Sequence, residues 1–141
     1  MTKKSGFTLI ELVLVISIVA LLLMAIGVTS GVRESARVHA AAESVKALRT
    51  AAESYIAAGS MTYTGITVAG LQTAGYLPAG FSATGSNPWG GDYTIAANSD
   101  SSRVDISLTG VGATASTRLS TLFANSAQGT SYASNTWTVT F

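Results

Sequence analysis

The sequence predicts an α+β fold: a long N-terminal α-helix, half membrane-spanning and half amphipathic, packed on a small antiparallel β-sheet head with a second short helix. Three observations lead there. From Phe7 to Val28, 18 of 22 residues are apolar. Val38, Ala41, Val45, Leu48, Ala52 and Tyr55 then recur at alternating spacings of three and four, one apolar stripe along a helix. Beyond them, short runs alternate apolar and polar residues between turn signals.

Composition narrows the functions. The 141 residues are 48% hydrophobic and 11% charged, with a formal net charge of +1. That leaves no basic surface, so nucleic acid is not an expected main partner. With no cysteine, disulfides, Cys-ligated metal and thiol catalysis are excluded. Ten of the fifteen charges lie in residues 1–53, and five in residues 54–141. The single histidine, His39, lies beside the apolar stripe and is assigned no role.

The chain starts with Lys3 and Lys4, then Ser5-Gly6 and the apolar run. A basic segment before an apolar one is what secretion machinery reads, and the positive-inside rule places Lys3 and Lys4 in the cytoplasm. At ~1.5 Å per residue, a helix of this length reaches ~33 Å, the thickness of a bilayer's hydrocarbon core. Glu11 lies inside the run, where a carboxylate costs up to ~2.5–3.5 kcal/mol on insertion scales, less near the end. No basic residue lies nearby in the run. A cut between Gly6 and Phe7 would create an amino group at Phe7, a cation able to neutralise Glu11 of a neighbouring copy.

Lys4-Ser5-Gly6-Phe7-Thr8-Leu9-Ile10-Glu11-Leu12 resembles the class III leader and cleavage site of type IV pilins and related pseudopilins. The resemblance covers roughly residues 3–28. It implies cleavage after Gly6 by a prepilin peptidase, methylation of the Phe7 amine, and a helical filament whose core is a bundle of these helices, raised by an assembly platform and its ATPase. It also implies a single-pass inner-membrane precursor that later becomes an extracellular pilus.

No proline occurs before Pro78, so the helix is expected to run from Phe7 to about Ala58, with Gly59 as its C-terminal cap. Glu34–Arg37, Glu43–Lys46 and Arg49–Glu53 are opposite charges at helical spacing. Many type IV pilins have proline where this chain has Val28, so no proline kink is expected. Gly27 and Gly31 either soften the helix there or form a close-packing small-residue face, and the two are compatible.

Residues 60–91 read as loop, with one or two turns capped by Thr67 and closed by Gly75. Gly-Tyr-Leu-Pro followed by Asn87-Pro88-Trp89-Gly90-Gly91 resembles the segment entering the sheet in type IVb-like pilins and major pseudopilins, with Trp89 packed at the loop–sheet corner. Three strands are predicted. Tyr93–Ala97 and Arg103–Leu108 form a hairpin, and Thr136–Phe141 is the third. A helix is predicted from Ala113 to about Ala127. Asp92, Asp100 and Asp105 invite a calcium reading, because major pseudopilins use a calcium-stabilised loop. Their spacing matches no EF-hand, and they read as turn formers. No cofactor or metal is expected. The 27 Ser and Thr of residues 54–141 suit either a hydrogen-bonding fibre surface, open to O-linked sugars, or simply a compact extracellular domain.

Residues 1–6 thus read as a leader, 7–31 as a membrane and filament-core helix, 32–58 as its amphipathic half, and 59–141 as a head. No nucleophile–histidine pair, phosphate loop or carboxylate pair stands out, so no enzyme is expected. The expected function is a structural pilus subunit, a homo-oligomer serving adhesion, motility or a related purpose. The alternative is a major-type pseudopilin of a type II secretion system.

Overall fold

The computed structural model describes residues 9–141, and the side chains of all of these except 25–30. In chain order come α1 (Leu9–Ala57), α2 (Val68–Thr73), β1 (Tyr93–Ala97), β2 (Val104–Thr109), α3 (Ala113–Phe123), β3 (Gly129–Ala133) and β4 (Thr136–Thr140). This is the α+β arrangement expected. The four strands form one antiparallel sheet in the order β1-β2-β4-β3. The chain divides into two compact units, Met1–Ser35 and Ala36–Phe141.

In the second unit, α1 carries its stripe into the core. Val38, Ala41, Val45, Leu48 and Ala52 are all buried, joined by Ala42 and Ala51. Facing them are Tyr93 and Ile95 of β1, Val104, Ile106 and Leu108 of β2, and Trp137 and Val139 of β4. Alternate residues of a strand share a face, so Asp105, Ser107, Thr136, Thr138 and Thr140 lie on the outer face. The indole of Trp137 is fully buried, and its Nε1 donates to Ser120 Oγ at 2.9 Å. The helix ends at Ala57, and Gly59 follows with φ +114°, a C-terminal conformation that glycine adopts freely. In α2, the Thr67 hydroxyl accepts from Gly70 N at 3.0 Å, and Gly75 closes the turn with φ +80°.

Three expectations change in the head. The second helix stops at Phe123 instead of near Ala127. Asn125 and Ser126 are poor helix formers, and the Phe123 carbonyl accepts from both Ser126 N and Ala127 N as the chain turns. The second strand runs one residue later than read, over Val104–Thr109, and the last one ends at Thr140. The sheet also has a fourth strand, β3. Its five residues are all exposed, so it carries no apolar alternation to read. Ser134 and Asn135 join it to β4 with φ of 49° and 58°, a two-residue turn made without glycine. The final strand is therefore interior to the sheet, between β2 and β3.

Candidate assembly site

In the first unit, the described side chains of α1 belong to residues 9–24 and 31–35. Those of residues 9–24 are all exposed, Leu9 at 82% and Met24 at 73% among them, on every side of the helix. A helix apolar all round is suited to lipid or to other helices. Its polar groups are few and local. Ser17 Oγ donates to Val13 O at 2.8 Å, so the hydroxyl is satisfied within the helix. Glu11 is exposed among these apolar side chains. Gly6 and Phe7 lie outside the described residues. Among the described residues no helix is long and apolar enough to cross a membrane. The sequence run from Phe7 to Val28 extends past residues 9–24 at both ends.

Gly27 and Gly31 both lie within α1. Among the described residues, a methyl group built on Gly31 would meet nothing within 4 Å, so none of them requires glycine there.

In the second unit, the charges of α1 form local pairs: Lys46 Nζ to Glu43 Oε1 and Arg49 Nε to Glu53 Oε1, each at 2.8 Å. Lys46 holds the exposed Glu43 carboxyl below its usual range. Arg49 does more than pair. Its guanidinium lies 4.5 Å from the centre of the Phe141 ring, and Nη1 donates to Ser126 O at 3.2 Å. It thereby ties α1 to the turn after α3 and to the residue following β4, a role its sequence spacing alone did not reveal. Beside it lies an open groove of about 480 Å³, lined by His39, Glu43, Lys46, Glu53, Leu122 and Ser126 among others. Its mixed charges, Glu43, Lys46, Arg49 and Glu53, cancel along α1.

The loop–sheet corner is built on Asn87, which is 4% exposed. Its Oδ1 accepts from Trp89 N at 3.0 Å and Gly91 N at 2.9 Å. Its Nδ2 donates to Thr109 O at 2.7 Å and Asp92 O at 3.3 Å. One side chain thus closes the Pro88–Gly91 turn and pins it to the end of β2. Gly91 lies so close to β2 that a Cβ there would overlap the Thr109 carbonyl. Trp89 packs half-buried against the core, as the resemblance implied.

The three aspartates are held by separate partners. Asp92 Oδ1 accepts from Gly85 N at 2.7 Å. Asp100 accepts from the backbone and hydroxyl of Ser102, which keep its carboxyl below the usual range. Asp105 accepts from Asn98 Nδ2 and Thr140 Oγ1. Among the described residues no group of three His, Cys, Asp or Glu is arranged to hold a metal.

Comparison with known proteins gives two family matches. Residues 1–27 match the prokaryotic N-terminal methylation motif. Residues 29–140 match the family described as PilS N terminal. No curated protein matches the chain, and no solved structure does.

Proposed function

The chain belongs to the PilS N-terminal family behind a methylation-motif leader and is a type IV pilin-like subunit, and on that footing we propose how it is processed and assembled. A peptidase cuts after Gly6, and the new amine of Phe7 is methylated. The precursor stays in the inner membrane by its N-terminal helix, with Lys3 and Lys4 in the cytoplasm. It is then lifted by the pilus machinery into an extracellular helical filament. The pilin-family matches point to a structural subunit and not to an enzyme.

The observation that carries this reading is α1 over residues 9–24: exposed apolar side chains on all sides around one carboxylate, Glu11. Bundling these helices removes the apolar surface from contact with solvent or lipid. It also removes Glu11 from water, at a cost of several kcal/mol unless a cation meets it. The amine released at Phe7 of a neighbour supplies that cation, so cleavage and assembly are chemically coupled.

Glu11→Ala tests the pairing. The variant is expected to be membrane-inserted and cleaved but to give few filaments; normal filament yield would refute it. Electron microscopy of the cell surface separates the two settings of such a subunit. Long fibres lost on deletion support a pilus, whereas a secretion defect without fibres supports a type II secretion pseudopilus.

A further inference from the structure

We propose that β3 is a self-pairing edge: in two copies of the chain, the β3 strands lie antiparallel about a two-fold axis at Ser131 and join their sheets into one.

The sheet has two edges, β1 and β3. The β1 edge is partly closed, since Tyr93 N donates outward to Ala83 O at 2.7 Å. The β3 edge is open among the described residues, and all five of its residues are exposed. Proteins usually guard such an edge with charge or proline. Here β3 has neither, and after Arg118 the chain has no charged residue at all. A contact between identical copies sets like against like, so an uncharged edge is what such a contact requires.

The register fits. Residues 104 and 141 exchange both backbone bonds, so alternation along β4 turns Thr136, Thr138 and Thr140 toward β3. Their partners Gly129, Ser131 and Ala133 turn inward to β4, which leaves the N–H and C=O of Thr130 and Tyr132 facing outward. With a two-fold axis at Ser131, Thr130 of one copy lies opposite Tyr132 of the other, twice. That gives four backbone hydrogen bonds and two β-branched–aromatic pairs, a favourable cross-strand combination. On the outer face the pairing continues a row of hydroxyls, Thr94, Ser107, Thr138 and Ser131, that already crosses all four strands.

A two-fold contact cannot repeat along a polar filament, where each subunit meets the next head to tail. The pairing therefore joins heads of separate filaments or of unassembled subunits. Four hydrogen bonds make a weak contact singly, and repetition along two filaments multiplies it.

The absence of cysteine makes the test direct. At the axis the two Ser131 residues form a non-hydrogen-bonded pair, with Cα atoms ~4.5 Å apart, within disulfide reach. Ser131→Cys in the full chain, in detergent under mild oxidant, is expected to give mainly a covalent dimer that reducing agent reverses. Thr94→Cys, exposed on the same face of β1, is expected to stay monomeric. Adding Thr130→Pro to Ser131→Cys removes an outward N–H without touching the β4 ladder, and is expected to abolish the dimer while tryptophan fluorescence stays native. No dimer from Ser131→Cys, equal dimer from Thr94→Cys, or a crosslink that survives Thr130→Pro would each overturn the pairing. The crosslink is read on unassembled chain, so its failure leaves the filament reading standing.

Discussion

At the scale of single residues, Asn87 and Gly91 carry more of the head than their place in a loop suggests. Asn87→Ala takes the Asn87 side chain away from two backbone N–H groups and the Thr109 carbonyl in a part-buried corner. Each group left unsatisfied costs ~1–3 kcal/mol, so a loss of roughly 3 kcal/mol or more is expected. Asn87→Asp keeps the acceptor but sets a carboxylate oxygen against the Thr109 carbonyl, and should be no better. Gly91→Ala forces the loop away from β2 and is expected to destabilise comparably. Denaturant unfolding of the full chain in detergent, followed by tryptophan fluorescence, measures all three. The chain has two tryptophans, Trp89 in this corner and Trp137 in the core, so both report the head. A loss under about 1 kcal/mol for Asn87→Ala would mean that water or the backbone replaces its bonds.

At the scale of elements, legibility follows burial. The second half of α1 was readable because its stripe is buried at the spacing of a helix, and β1, β2 and β4 because one face of each is buried. β3 was not readable, because no face of it is buried, and its turn to β4 uses Ser134 and Asn135 where asparagine–glycine is the usual signal. The same turn gives a prediction. Ser134 at φ 49° bears a strain that glycine does not, so Ser134→Gly is expected to stabilise the head by up to ~1 kcal/mol. An unchanged or lowered denaturation midpoint would count against that strain. The corner built by Asn87 was legible only as a turn; a side chain bonding four backbone groups leaves no periodic trace. In α1, Gly31→Ala adds ~1 kcal/mol of helix propensity and the new methyl has open space among the described residues. Subunit helicity, read by circular dichroism, is expected to hold or rise while filament yield falls. Normal filaments from Gly31→Ala would show that neither close packing nor softness at that position matters to assembly.

At the scale of the whole molecule, the charges predict an asymmetric response to pH. The carboxyls held below their usual range, Glu43 and Asp100, are exposed. Protonating them as pH falls through those lowered values removes only weak, solvent-screened interactions, so acid should affect the head little. Tyr93 is the opposite case. It is 3% exposed on β1, within the one core that joins α1, the sheet and α3, and burial pushes its phenol above the ordinary value, with the Ser44 hydroxyl acting the other way. A group that holds its proton more tightly folded than unfolded contributes its full stability below the unfolded value, near pH ~10. That stability is lost as pH rises through the raised folded value, because the unfolded chain then releases a proton the folded chain retains. Tyr93 therefore contributes a loss of head stability in alkali, whereas Glu43 and Asp100 contribute little in acid. Tyr93→Phe keeps the ring in the core and removes the ionising group, so its denaturation midpoint should fall less steeply above pH ~10 than that of the unaltered chain. Lysine deprotonation affects both chains alike and cancels in the comparison. Parallel pH profiles above that point would place the alkaline limit elsewhere in the molecule.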